Sequence, residues 1–532
     1  MTMALTSNLH GGLRSPLLLS ALAFALASCA VGPDFQRPEA PKAAGYTALP
    51  MANARVPLAA GRDIPFAWWH TYQSAKLDAL VDRALQSSPT IAAAQAALRE
   101  AHEYTTAQRG YFYPTAGLEF TPTRQKLAGN LGSNAPGLQG NGSTIAGYQN
   151  PSGPPYNGPA YYNFYTAQLT LSYTPDVFGG NRRQVESLQA QEDTQRFEME
   201  AAYISLTANV VGAAIQDASL RSQIAAAKDF IASNEKALHI LQRQHDTGYA
   251  MGLDVAAQEQ ALAQAEAQLP PLQKQLEQTR DLLRALCGAT PDTAIDDDFD
   301  LSMLALPADL PLSLPAALVN QRPDVRAAEE QLHSASAQVG VARAARFPQI
   351  TLTGAMGGAA SEIAQMFKTG GPFWNIAGDL TQPIFDGGTL KHKEGAAREA
   401  LSQAQAQYRG TVLNALQNVA DTLHAVESDA DALAAAQKVE RAAWKTLDIT
   451  RKQQHAGYVN MLTLLSAEGA YQQAVVTLLQ AQTNSYGDAA AMFQALGGGW
   501  WNRDGAIAGM ATGVVTFHAK TASDFAIPVS HD

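Results

Sequence analysis

Few side chains in this sequence are placed for chemistry. Cys29 ends the small-residue run Leu26-Ala27-Ser28-Cys29, and Cys287 lies in Ala285-Leu286-Cys287. His245 and His455 each stand just before a Gly-Tyr pair, Gly248-Tyr249 and Gly457-Tyr458. At the end of a helix a histidine complements the carbonyl end of the dipole, which suits these two positions better than metal binding does. Cys287 suits a small core hydrophobe. No phosphate-binding loop ending in Gly-Lys-Ser/Thr, no His-Glu-x-x-His helix and no Gly-x-Ser-x-Gly turn occurs in the chain. The sequence therefore reads as no enzyme, with no catalytic residue, metal or cofactor, and its function must lie in how its elements are arranged.

Residues 1–28 carry one positive charge, Arg14, then the apolar run Pro16 to Leu26, which is the pattern of a secretory signal. The residues before Cys29 resemble the bacterial lipoprotein cleavage box, and that resemblance implies acylation of the Cys29 sulfur and of its new amino terminus. Two or three acyl chains hold a protein stably on a membrane where one does not. Ala30 follows Cys29, and no aspartate is there to suggest retention at the inner membrane. With Cys29 acylated, Cys287 is the only free thiol and no intrachain disulfide can form. A formal net charge of −11 does not suit nucleic acid. After the signal no run of 18 or more apolar residues occurs, so any membrane crossing by the mature chain must use strands.

The chain contains one unit twice. Pro89 and Pro323 open helical runs, Pro114 and Pro348 open strands, Phe178-Gly179-Gly180 and Phe385-Asp386-Gly387-Gly388 close strands, and the Gly-Tyr pairs interrupt helices. The offset is 234 residues at both prolines (323−89, 348−114), 207 at the phenylalanines (385−178) and 209 at the Gly-Tyr pairs (457−248). Conserved order and spacing of this kind mark an internal repeat. Only one segment differs much in length, the loop between the strands. In the first copy that loop, Thr121 to Pro159, is rich in Gly, Asn, Ser and Pro and reads as long and exposed.

The strands alternate. Tyr165, Ala167, Leu169, Leu171 and Tyr173 share one face and Thr166, Gln168, Thr170 and Ser172 the other; Ala116, Leu118 and Phe120 alternate likewise with Thr115, Gly117 and Glu119. Ile350 and Leu352 alternate with Thr351 and Thr353, and Ile376 and Leu380 accompany the polar-side Asp379. One face suits lipid and the other water. Tyr111-Phe112-Tyr113, Tyr161, Tyr162, Phe164 and Phe373-Trp374 are expected to precede their strands as an interfacial girdle. Four strands cannot close a transmembrane barrel, and open edges cannot remain in lipid, so several chains must each contribute four strands to one barrel.

Between Arg182 and Gln244 there is no proline and one glycine, which predicts a very long helix. Ile224, Ile231 and Leu238, then Val255, Leu262, Leu269, Leu276 and Leu283, recur every seven residues, the spacing of a coiled-coil seam. Pro270-Pro271 is expected to break or kink the returning helix. The second hairpin runs from about Leu390 to His455 and returns from Leu462 to about Leu496. The resulting division is signal 1–28; anchored N-terminal segment and strap 29–75; first repeat 76–288, with strand pair 113–178 and a hairpin tip near 245–255; linker 289–314; second repeat 315–498, with strand pair 348–388 and a tip near 455–466; and a mobile tail 499–532, in which Trp500-Trp501 could still pack.

Cys29-Ala30-Val31-Gly32-Pro33-Asp34-Phe35, Pro38, Trp68-Trp69, Leu77 to Pro114, Phe178-Gly179-Gly180 and both hairpins together resemble the TolC-like outer-membrane factors, in particular the acylated branch serving tripartite exporters. The resemblance covers roughly residues 29 to 498. It implies an α+β, mainly α, homotrimer: a shared 12-stranded transmembrane β-barrel, four strands per chain, on a long periplasmic α-helical coiled-coil barrel. It further implies a passive conduit for drugs or metals in the outer membrane, partnered by a periplasmic adaptor and an inner-membrane pump of the resistance-nodulation-division type. Carried over by position, Gly248, Tyr249, Leu253 and Asp254 form one adaptor-contact tip, and Gly457, Tyr458, Leu462 and Thr463 the other. The periplasmic gate maps to Leu462 and Leu465, with Ser466 where the family places an aspartate. Asp254 is the substitute acid and Glu468 a weaker one. The competing reading is a soluble, lipid-anchored periplasmic adaptor or scaffold without a barrel. Such a protein would show one hairpin rather than two with paired strands.

Overall fold

A computed structural model describes residues 30–41, 43, 45–47, 58–126, 137–138, 144–145, 161–294, 300–307, 310–360, 362–368 and 370–503. The signal, Cys29, most of the loop after the first strand and the tail beyond 503 lie outside the described residues. In chain order the main elements are β1 (Leu58–Ala60), α1 (Ala75–Ser87), α2 (Pro89–Arg109), β2 (Thr115–Lys126), β3 (Tyr161–Tyr173), α3 (Gly180–Asp246), α4 (Gly252–Leu286), β4 (Leu310–Leu312), α5 (Pro315–Gln321), α6 (Pro323–Ala344), β5 (Gln349–Ala360), β6 (Pro372–Thr381), α7 (Thr389–His455) and α8 (Met461–Ala495). The repeat is plain in these bounds. Helices α3 and α7 both have 67 residues, and α4 and α8 both have 35.

Two compact units divide the chain. The first comprises the N-terminal segment to Gln36, Ala101–Ala190 and His333–Gln403; the second comprises Arg37–Glu100, Gln191–Leu332 and Ala404 onward. The first unit holds an antiparallel sheet in the order β2-β3-β5-β6, so β2 and β6 are its edges. Its registers put like with like: Leu118 opposite Leu169, Leu169 opposite Met356, and Met356 opposite Trp374. Because side chains alternate faces, these residues form one apolar row. Leu118, Phe120, Met356, Trp374, Ile376 and Leu380 are all exposed. On the opposite face Gln168 Nε2 donates to Glu119 Oε2 at 3.0 Å across the ladder.

The strands are longer than alternation alone indicates. β2 continues past Thr121 to Lys126, paired with Tyr161–Thr166, so part of the expected loop is sheet. A further short ladder pairs Gly137–Leu138 with Thr144–Ile145. Tyr161, Tyr162, Phe164, Phe373 and Trp374 therefore lie inside strands rather than ahead of them. Aromatic residues are good strand formers, and a tyrosine-rich strand end looks like a flank when only the alternation is read.

The second unit is held by aromatic packing. Trp68 stacks on Phe493 with centroids 5.1 Å apart, and the Tyr72 hydroxyl donates to the Tyr486 carbonyl at 2.7 Å. Helix α1 is capped by Ser74, which accepts from the Leu77 amide, and buries Leu77, Leu80, Val81 and Ala84 at helical spacing. The Cys287 thiol is buried.

Two readings of the helices need amending: Pro270-Pro271 does not break its helix, and the heptad seam shifts. Pro270-Pro271 sits inside α4, which stays continuous. Both prolines are on the exposed side of the helix, where water can satisfy the carbonyls they leave free. Leu269, Leu272 and Leu276 pack on Leu220 and Ile224 around them. The heptad seam also drifts. Ile224, Leu276 and Leu283 are buried, but nearer the tip the buried positions are Asn234, Ala237, Leu241, Gln258 and Ala265, with Ile231, Leu238, Val255 and Leu262 only half-buried.

Gly499 to Arg503 do not begin a loose tail. Trp500 packs with Phe197, Ile204 and Ala327 and donates Nε1 to the Gln321 carbonyl at 2.7 Å.

Candidate functional site

The two hairpin turns are built alike. At the end of α3 the Gly248 amide donates to the His245 carbonyl at 2.9 Å and the Tyr249 amide to the Gln244 carbonyl at 2.8 Å. At the end of α7 the Gly457 amide donates to Gln454 at 3.0 Å and the Tyr458 amide to Gln453 at 2.9 Å. This paired closure needs a left-handed residue just past the helix, and the glycines have φ of 80° and 77°. Each turn then throws its tyrosine outward, with Tyr249 88% and Tyr458 83% exposed. Leu253 and Leu462 are exposed beside them.

The restarting helices are capped differently. In the first hairpin Asp254 accepts from the Met251 amide at 3.3 Å. In the second, Asn460 Oδ1 accepts from the Thr463 amide at 3.0 Å and from its hydroxyl at 2.7 Å. Carboxylate and carboxamide each satisfy a helix-start group, so the tips share a backbone and differ in charge. His245 and His455 occupy the last turns of their helices. His245 Nδ1 also lies 3.0 Å from the Ala250 carbonyl, closing the turn.

Leu462 and Ser466, one helical turn apart, are exposed on α8, and Leu465 is half-buried. Asp254 accepts its hydrogen bond inside its own turn, from the Met251 amide, rather than from these residues. Glu468 is not an exposed acid: it is buried, with Oε1 3.1 Å from Arg451 Nη2 and accepting from Ser233 Oγ at 3.3 Å. The cluster lines a cavity of about 230 Å³ together with Phe230, Leu447 and Tyr471. Sequence reasoning missed it, although Glu468 interrupts the apolar stripe of Leu464, Ala467 and Tyr471, a position where a carboxylate requires a partner.

Cys29 lies outside the described residues, but the segment after it is fastened. The Val31 amide donates to the Phe178 carbonyl at 3.2 Å, Asp34 pairs with Arg183 at 2.6 Å, and the Phe35 ring stacks on His333 at 4.3 Å. His333 in turn lies 3.1 Å from Glu186. That contact, aided by Arg183, holds the Glu186 carboxyl below the usual range.

A four-stranded sheet with an apolar exposed face and two open edges, carried with paired long helical hairpins, is the architecture of a channel-forming protein of the outer-membrane kind. The family model for outer membrane efflux proteins matches residues 80–289 and 314–498, and the chain belongs to that family. Its fold is that of the TolC-like channels, and it is an outer-membrane efflux channel protein. The probable efflux pump outer membrane protein SepC of Pseudomonas putida is 28% identical over 503 residues, spanning 92% of this chain and 98% of its own length. Outer membrane protein OprJ of Pseudomonas aeruginosa is 26% identical over 482 residues, spanning 90% and 95%. Among solved structures, the outer-membrane channel OprN matches with a TM-score of 0.77 at 25% identity over 89% of this chain and 100% of its own. The CmeC outer membrane channel of Campylobacter jejuni matches in fold with a TM-score of 0.75 at 21% identity, over 88% and 95%.

Proposed function

We propose that this protein is the outer-membrane lipoprotein channel of a tripartite efflux pump, a homotrimer whose copies each give four strands to one 12-stranded barrel. The observation that carries the reading is the four-stranded sheet with both edges open and its apolar row exposed. In hydrocarbon every backbone group must be paired, so such a sheet requires neighbours. The residue roles belong to this reading. Cys29 carries the acyl chains. The tips at Gly248, Tyr249, Leu253 and Asp254 and at Gly457, Tyr458, Leu462 and Thr463 meet a periplasmic adaptor, which couples the channel to an inner-membrane pump. Leu462, Leu465 and Ser466, with Asp254, surround the periplasmic opening.

Small toxic compounds, drugs or metals, are the proposed cargo, moved through a passive conduit with no cofactor. Native mass measurement of the detergent-extracted protein, followed by reconstitution into planar bilayers, tests this. A mass of three acylated chains and a steady conductance are expected. A monomer that keeps its strands, or a silent bilayer, would reject the channel as drawn.

A further inference from the structure

The internal repeat supplies a template for the contact between copies. Phe347-Pro348 opens the first strand of the second repeat as Tyr113-Pro114 opens that of the first, and Phe178 and Phe385 each close a second strand before the glycines. Where repeat one ends and repeat two begins, β3 pairs with β5 and the Phe178 ring stacks on Phe347, centroids 4.9 Å apart and planes 17° from parallel. Val177 precedes Phe178, and with Phe178, Val341, Ala344 and Pro348 it lines an open cavity of about 420 Å³.

The corresponding junction between the end of repeat two and the start of repeat one does not exist within a single chain. Its parts are left open: β6 and β2 are the free edges, Phe385 is 92% exposed, Ile384, the counterpart of Val177, is 98% exposed, and Tyr113 is 71% exposed. Residues that are half-buried at one junction stand bare at its equivalent. An end-to-start contact of this kind is heterologous, and it closes into a ring when the rotation allows.

We propose that Phe385 of one copy stacks on Tyr113 of the neighbouring copy, with Ile384 seated beside the stack, so that the chain boundary reproduces the Phe178–Phe347 junction. The occupant is a second copy of this chain, docking its repeat-one strand entrance on the repeat-two strand exit. The inference rests on the proposed sharing of one barrel by several copies and adds the residues that set its rotational order. Aromatic stacking of this kind contributes beyond the area it buries, and it lies just outside the strands, where it can fix their relative height.

The test is cysteine cross-linking in the full-length protein, whose Cys287 is buried. Tyr113→Cys with Phe385→Cys in one chain, treated with a short bismaleimide, is expected to give covalent dimers and trimers on denaturing gels, and each single variant none. Phe178→Cys with Phe347→Cys is expected to cross-link without any gain in mass. Native mass of the same untreated preparation separates the two levels of the proposal. A multimer that yields no ladder, or a ladder from Tyr113→Cys alone, overturns this junction and leaves the shared barrel standing; a monomer overturns both. Phe385→Ala is an independent check. The ring is exposed in the single chain, so the chain keeps its fold, while the temperature at which the oligomer separates on semi-native gels falls and Phe385→Tyr restores it. An unchanged temperature also overturns the stack.

Discussion

Asp488 shows how much a single carboxylate can report. Its burial on α8, then its hydrogen bond and charge repulsion with Asp429 of α7, push its pKa up from 3.8 to about 6. The folded chain therefore holds a proton that the unfolded chain releases between those values. The stabilisation is complete below about pH 3.8 and is lost as pH rises through about 6. Asp488→Asn keeps the hydrogen-bonding shape and removes the charge. Its melting temperature should exceed that of the parent at pH 7.5, and the difference should shrink as pH falls and vanish below about pH 3.8; a constant offset across that range would discard the raised carboxyl as the cause. Leu462 is a second residue-scale case. If its exposed side chain helps close the periplasmic opening, burying three such leucines contributes roughly 1.5 to 3 kcal/mol each. Leu462→Ala should then raise uptake of bulky antibiotics in cells, and unchanged uptake would count against the gate. The tip residues were legible because a Gly-Tyr pair interrupting a helical run admits few conformations. Glu468 was not, because nothing local reveals that Arg451 and Ser233 converge on it.

At the scale of elements, periodicity told helix from strand reliably and told ends and seams poorly. Alternation placed all four strands but missed the continuation of β2 through Pro122 and the aromatic start of β3. Proline is tolerated on an edge strand, and aromatics suit a sheet as well as an interface. In α4 two prolines do not end the helix, whose Leu269, Leu272 and Leu276 pack on α3 around them. The seam of that hairpin contains a polar pair that heptad counting passes over: Gln258 Nε2 donates to both the Asn234 carbonyl and Asn234 Oδ1 at 3.0 Å, and both residues are fully buried. A buried polar pair of this kind fixes the register of two helices. Gln258→Ala removes the donors and leaves the Asn234 side-chain oxygen without that partner, at a cost of about 1–3 kcal/mol. Hydrogen exchange should speed up in the tip-proximal turns of α3 and α4 while the turns around Leu220 and Leu276 stay protected. Uniform loosening would show that the pair does not act locally.

For the whole molecule, duplication was legible because landmarks kept their order, and open strand edges made an assembly a physical necessity. The joining of the segment around Asp63 to that around Trp501 was not legible, since it depends on residues far apart in sequence with no shared pattern. Asp63 accepts from Trp501 Nε1 at 2.9 Å and from Asn502 Nδ2 at 2.7 Å, drawing the N-terminal strap to the last described turn. Arg503 then reaches Glu200 on α3 at 2.6 Å, with its guanidinium over the Tyr203 ring. Glu200 is fully buried, and burial pushes its pKa up against the pull of Arg503. Removing one partner of a buried pair costs about 3–5 kcal/mol, because the other charge is left in a poor medium. Arg503→Ala should therefore lower the melting temperature at neutral pH. Without Arg503 the Glu200 carboxyl titrates higher still, so the folded state takes up a proton sooner than the unfolded state as pH falls, and the deficit should shrink toward pH 5. Adding Glu200→Gln should recover much of the loss and flatten that pH dependence. If the parent, single and double variants melt together at every pH, the pair contributes nothing to stability.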